Sequence, residues 1–169
     1  RSYLRQGEFG LWEETGKFIN RAINFGAEHD LGYGESIGRA IHEGKIGEED
    51  LIHKFKEESI LSEAYKLGIP ASICASIGHD ITHCHPECDG AALGKTSLTD
   101  FLRFTETLRK FEGGTLISVG SAVTSPMVFE KGLSMAKNYA KQRGEKLDDY
   151  RIFVNDIQKS SWDWSLGEP

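Results

Sequence analysis

The chain has 169 residues, 38% hydrophobic and 27% charged, with a net charge of −6. That is an ordinary globular composition, long enough for one domain with a real core. The acidic balance offers no Lys/Arg patch, which argues against a nucleic-acid partner. No apolar run approaches the roughly 20 residues that span a bilayer, and no signal peptide is read at the start. Three cysteines cannot all pair within one chain, so reduced thiols in a cytoplasmic protein are expected.

Trp12, Phe18, Ile19, Ala22 and Ile23 recur at near-helical spacing and predict a helix from about Leu11 to Ala27. Gly32, Gly34 and Gly38 follow, spaced like a dinucleotide fingerprint. No strand precedes them, so they read as helix punctuation ahead of a short helix, Glu35 to His42. Ile46-Gly47-Glu48-Glu49-Asp50 puts acids where a helix macrodipole favours them. Ile52, Phe55, Ile60, Ala64 and Leu67 then form one predicted face, closed by Gly68 and Pro70.

Ile69 to Ile77 is small, apolar and uncharged. It predicts a strand over Ala71–Ile77, buried on both faces as in a parallel sheet. The run stops at Gly78 and gives way to His79, Asp80, Thr82, His83, His85, Glu87 and Asp89. Thr96 or Ser97, with Asp100, reads as the cap of the next helix. Leu98, Phe101, Leu102, Thr105, Leu108 and Phe111 are its expected stripe. Thr115–Val119 predicts a second strand. Ser125-Pro126 opens a helix with Phe129, Leu133, Ala136 and Ala140 inward, stopping at Gly144. Tyr150–Val154 predicts a third strand ending in Asn155-Asp156, and residues 157–169 form an irregular tail. Strands alternating with helices imply a parallel α/β sheet. The chain reads as a single α/β domain over 1–169: a helical lead-in (1–67), strand–helix units (68–156) and the tail.

Function is expected where strands end, because ligands of open parallel sheets bind outside their carboxyl ends. His79, His83 and His85 lie beside Asp80, Asp89, Cys84 and Cys88, all of types that suit zinc. Their spacing matches no closed zinc pattern, so no metal is assigned. The loop can equally be a polar segment satisfying backbone groups or a ligand loop without metal. A Cys84 nucleophile lacks a readable triad. Gly120-Ser121-Ala122 lets a ligand approach the backbone, ahead of a helix start that suits an anion. Asn155-Asp156 can bind a ribose hydroxyl or begin a turn. Trp162 and Trp164 can line a cationic pocket by cation–π contact or pack at an interface.

From Glu57 to Pro169 the chain resembles the C-terminal part of deoxyhypusine synthase. It is more similar still to the proteins grouped with that enzyme as deoxyhypusine-synthase-like. The residues carrying this are Glu58-Ser59-Ile60, Tyr65, Gly68-Ile69-Pro70, Gly78-His79-Asp80-Ile81, His83, His85-Pro86 and Asp89-Gly90-Ala91-Ala92-Leu93-Gly94. Gly113-Gly114, Gly120-Ser121-Ala122 and Phe153-Val154-Asn155-Asp156 to Trp164 complete it, with looser matches from Phe9-Gly10 to Gly16.

The resemblance implies a Rossmann-like, NAD-binding sheet and a homo-oligomer, dimer or tetramer, with paired sites. It places Asp80, Gly120, Ser121, Ala122 and Asn155 at NAD contacts, and Asp156, Trp162 and Trp164 near the polyamine pocket. The enzyme's glycine triplet is Gly-Ser-Ala here, its Lys-His-His run is Thr124-Ser125-Pro126, and its catalytic lysine matches no residue of this chain. The sequence therefore leads to an α/β, Rossmann-like protein, a piece of a larger subunit. It is expected to bind NAD and act on an amine or polyamine-like substrate through His79, Asp80, His83 and His85. A metal-dependent hydrolase built on His79, His83 and His85, or a non-catalytic homologue that binds a ligand or serves a structural role, are the alternatives.

Overall fold

Glu13 and Glu14 place negative charge in the first turn of α2 (Glu13–Glu28), where free amides favour it. Gly16, Asn20, Ala22, Ile23 and Gly26 make its buried face. The computed structural model describes residues 2–7, 13–157, 161 and 163–166, so Trp12 and the Phe9-Gly10 match lie outside the described residues. Two compact units result, residues 1–103 and 104–169.

The first unit holds α1 (Ser2–Gln6), α2, α3 (Tyr33–Glu43), β1 (Lys45–Ile46), β2 (Glu49–Asp50), α4 (Ile60–Leu67) and most of α5 (Gly90–Leu108). Gly34 and Gly38 lie inside α3 rather than punctuating it. A Cβ on Gly34 would stand 1.9 Å from the Ala71 carbonyl oxygen, and one on Gly38 would stand 2.4 Å from that of Leu61. Both positions are bare so that neighbouring backbone can lie against the helix.

The acids read as a helix start form an antiparallel hairpin instead, with Ile46 opposite Glu49 and Gly47 at φ 58°. Arg21 reaches Glu49 at 2.6 Å, and Leu51 rather than Ile52 is buried. The helix that follows is only α4, capped by the Ser59 hydroxyl accepting from the Ser62 amide at 3.3 Å and closed by left-handed Gly68. The expected apolar face is overturned, since Ile52 is 87% and Ile60 84% exposed. Two apolar clusters hold the unit. Ala22, Ala40, Ile46 and Leu51 form one, and Ile23, Tyr33, Ala92 and Leu93 form the other.

The strand expected over Ala71–Ile77 is not formed. The segment is irregular, although its burial still alternates: Ala71, Ile73 and Ala75 are half-buried, while Ser72, Cys74 and Ser76 are exposed. The run is built of small side chains that bury little area. The Ile73 amide, which a ladder would use, donates to Asp100 Oδ2 at 2.8 Å.

α5 starts at Gly90, and its cap stands seven residues before the expected Thr96. Asp89 is its cap, accepting from the Ala91 amide at 2.7 Å. Thr96 is interior, and its hydroxyl donates to the Ala92 carbonyl at 2.9 Å. Leu98 and Leu102 face outward, while Thr96 and Asp100 face in. Hydrogen bonds compensate these buried polar groups, so polarity does not mark the outer face here.

The second unit contains β3 (Gly114–Val119), α6 (Thr124–Arg143), β4 (Tyr150–Asn155) and a 3₁₀ turn, Trp164–Leu166. β3 and β4 pair in parallel over their whole length, Gly114 opposite Tyr150 and Val119 opposite Asn155. The crossover is α6, whose predicted stripe is borne out. Phe129, Leu133, Ala136 and Ala140 are buried with Leu108 and Leu147. Phe111, Phe129 and Tyr150 add edge and tilted ring contacts, favourable beyond area burial. Left-handed Gly144 closes α6 as expected. Two strands, not three, therefore pair in parallel among the described residues. The class is mixed α and β with a small parallel sheet.

Candidate functional site

The histidine loop begins at Gly78, whose φ of 91° turns the chain. Its amide donates to His83 Nδ1 at 3.0 Å. The neutral His83 ring therefore carries its proton on Nε2, which is buried without a hydrogen-bond partner. Asp80 caps the 3₁₀ turn Ile81–Cys84, accepting from the Thr82 amide at 2.8 Å and the Thr82 hydroxyl at 2.7 Å. These bonds, the hydroxyl's first, hold the Asp80 carboxyl below its ordinary value against a smaller opposing effect of burial. The Thr82 carbonyl accepts from Asn20 Nδ2 at 2.9 Å, which fixes the turn to α2.

His85 is seated apart from the other two. Its Nδ1 accepts from the Glu87 amide at 3.1 Å, and its Nε2 faces Glu13 at 3.3 Å. The side chain is 9% exposed. A Cβ on Gly16 would stand 2.8 Å from the ring, so that glycine makes room for it. Glu87 takes a two-pronged bond from Arg21, at 2.6 and 2.9 Å, which draws its pKa down.

His79, Asp80 and His83 do come together. With Tyr33, Ile73, Cys74, Ala75 and Ser76 they line a cleft of about 310 Å³. Burial first, and then the Asp80 charge, push the Tyr33 phenol up, so it stays protonated. Behind this cleft stands Asp100, which is 1% exposed. Its Oδ2 accepts from both the Gly34 and the Ile73 amides, each at 2.8 Å. Burial raises the Asp100 pKa, and the two amides oppose the rise. Tyr33 and Asp100 escaped the sequence reading. The available signal for Asp100 was a carboxylate in line with Leu93 and Thr96 at helical spacing, on what proved to be the buried side.

In the second unit, Gly120, Ser121 and Asn155 meet at the carboxyl ends of the two parallel strands. The Gly120 amide donates to the Asn155 carbonyl at 2.8 Å, with Gly120 at φ 76°. The Ser118 hydroxyl donates to the Ser121 carbonyl at 2.6 Å, and Ser121 Oγ accepts from the Ser125 amide at 3.0 Å. Ser121 thus serves the first turn of α6, and the helix begins at Thr124, before the expected Ser125-Pro126 start. Ala122 follows in the same turn and Asp156 follows β4. Trp162 lies outside the described residues, and Trp164 opens the last 3₁₀ turn.

Among the described residues no group of three His, Cys, Asp or Glu side chains is placed to hold a metal ion. No helix among them is long and apolar enough to cross a membrane. Compared with protein-family models, curated proteins and solved structures, the chain matches none.

Proposed function

We propose that this protein binds a nicotinamide dinucleotide at the carboxyl ends of β3 and β4, as a Rossmann-like member of the deoxyhypusine-synthase-like group. In this reading it is a cytoplasmic, homo-oligomeric enzyme acting on an amine or polyamine-like substrate. The observation carrying it is the β3–α6–β4 unit, whose strand ends are joined by the bond from the Gly120 amide to the Asn155 carbonyl. Ligands of parallel sheets bind outside such ends. Gly120, Ser121 and Ala122 allow a pyrophosphate to approach the backbone there, and the positive end of the α6 dipole favours negative charge, with the Ser125 amide itself already taken by Ser121 Oγ. Asn155 and Asp156 are the candidates for ribose hydroxyls. His79, Asp80 and His83 are the groups proposed to bind substrate or move a proton, and Trp162 and Trp164 are proposed for the substrate pocket.

Calorimetric titration of NAD into the protein tests the reading. Wild type is expected to bind, and Ser121→Arg, which fills the turn, to lose at least tenfold in affinity, equivalent to about 1.4 kcal/mol. Equal binding by both proteins, or no binding by wild type, overturns the assignment.

A further inference from the structure

The first unit contains a separate cleft of about 300 Å³, formed by the end of α2, by α3 and by the β1–β2 hairpin. Phe25, Ala40 and Ile46 give it an apolar wall. The His29 ring stacks on Phe25 with centroids 3.9 Å apart, and its Nδ1 donates to the Phe25 carbonyl at 2.8 Å. A neutral ring bonded in this way keeps Nε2 as an acceptor. The Gly47 turn lies against the Phe25 ring, where a Cβ would stand 3.5 Å away. Lys45 and Glu48 of the hairpin thereby join the lining, with Arg39 and Glu43 of α3. Glu43 is committed, accepting from Arg39 Nε at 3.0 Å and from the Tyr65 hydroxyl at 3.1 Å. The Arg39 guanidinium stands 5.7 Å over the Phe25 ring, and its two Nη groups remain available. Among the described residues those groups, the Lys45 ammonium and the Glu48 carboxylate have no hydrogen-bond or ion-pair partner.

We propose that this cleft binds a free α-amino acid with an aromatic side chain. The two cations and two anions of the lining cancel, so neither a simple anion nor a simple cation is favoured. Charges of opposite sign beside an apolar wall complement a molecule that is itself dipolar. The ligand carboxylate takes the Arg39 Nη groups and Lys45, a planar fork that suits a carboxylate. The ligand ammonium takes Glu48 and His29 Nε2. The ring lies along Phe25, Ala40 and Ile46, an apolar body held in one orientation by a few polar groups. The inference uses residues of the first unit alone and stands or falls separately from dinucleotide binding.

The experiment titrates the full chain by calorimetry with L-phenylalanine, 3-phenylpropionate and phenethylamine. The second probe lacks the ammonium and the third lacks the carboxylate. Wild type is expected to bind L-phenylalanine, and each of the other two at least tenfold more weakly. Lys45 and Glu48 are exposed on the hairpin, so their substitution spares the core. Glu48→Gln is expected to lose the preference for L-phenylalanine over 3-phenylpropionate. Lys45→Gln is expected to lose much of the preference over phenethylamine, and Arg39→Gln the rest. Failure of wild type to bind L-phenylalanine, equal binding of all three probes, or preferences left intact in the Glu48→Gln and Lys45→Gln proteins would each overturn the site.

Discussion

Asp80 and Asp100 are carboxylates of one unit whose surroundings push them in opposite directions. Asp80 is held low by the Thr82 hydroxyl and amide. Its folded pKa lies below the unfolded value of about 3.9, so its contribution to stability is full above that pH. The contribution is lost as pH falls through the lower folded value. Asp100 is raised by burial. Its contribution is present at low pH and lost as pH rises through the folded pKa. Urea midpoints measured across pH should separate the two. Asp80→Asn is expected to flatten the acid side of the profile by removing a loss on acidification. Asp100→Asn is expected to remove a loss on raising the pH. The opposite sign would show that the hydrogen bonds at Asp80, or burial at Asp100, have been wrongly given the controlling part. These two residues also mark the limit of sequence reading. Asp80 was conspicuous after a glycine in a polar burst. Asp100 looked like an ordinary helix-cap residue, because its partners are two backbone amides from distant segments, which leave no trace in composition or spacing.

At the scale of elements, the best-read pieces are those whose signals are local. The stripe of α6, the left-handed stops at Gly68 and Gly144, and the strands β3 and β4 all follow from spacing and glycine placement. Segments decided by tertiary partners were misread. Residues 71–77 lack a neighbouring strand and remain unpaired. The acids at 48–50 lie in a hairpin instead, where Glu49 meets Arg21 of α2. The fingerprint-like glycines of α3 turned out to be contact surfaces. Gly34→Ala tests that last point, since its Cβ would stand 1.9 Å from the Ala71 carbonyl oxygen, backbone that cannot move aside as a side chain can. Helix propensity alone favours alanine at an interior position. The close contact instead predicts a net destabilisation of about 1–3 kcal/mol, read by denaturant unfolding. A stabilised Gly34→Ala protein would refute the contact.

At the scale of the whole molecule, the parallel pair β3–β4 leaves one face bare. Ile117 is 66% exposed, Val119 75% and Phe153 58%, and the register places Ile117 opposite Phe153. Contiguous exposed apolar surface of this kind marks association, which supports the proposed homo-oligomer. Light scattering at micromolar concentration is expected to give at least a dimer, and Phe153→Asp to shift the population toward smaller species. A wild-type monomer would refute the assembly, and an unchanged variant would clear this face of any part in it. The candidate site was legible only where one stretch of sequence contains it, as at Gly120-Ser121-Ala122 and at His79-Asp80. The cleft also needed Tyr33, about 45 residues earlier in the chain, and no local pattern connects the two.

The double bond-acceptor role of Asp100 has a consequence in time. Gly34 and Ile73 both donate to one oxygen on α5, so neither amide reaches its native partner until that helix has docked. Two stretches with no hydrogen bond to each other are thereby made to open and close as one cooperative unit. Solvent exchange at the start of α3 and at Ile73 should then share a single opening event, and the loosening of one would be felt at once by the other.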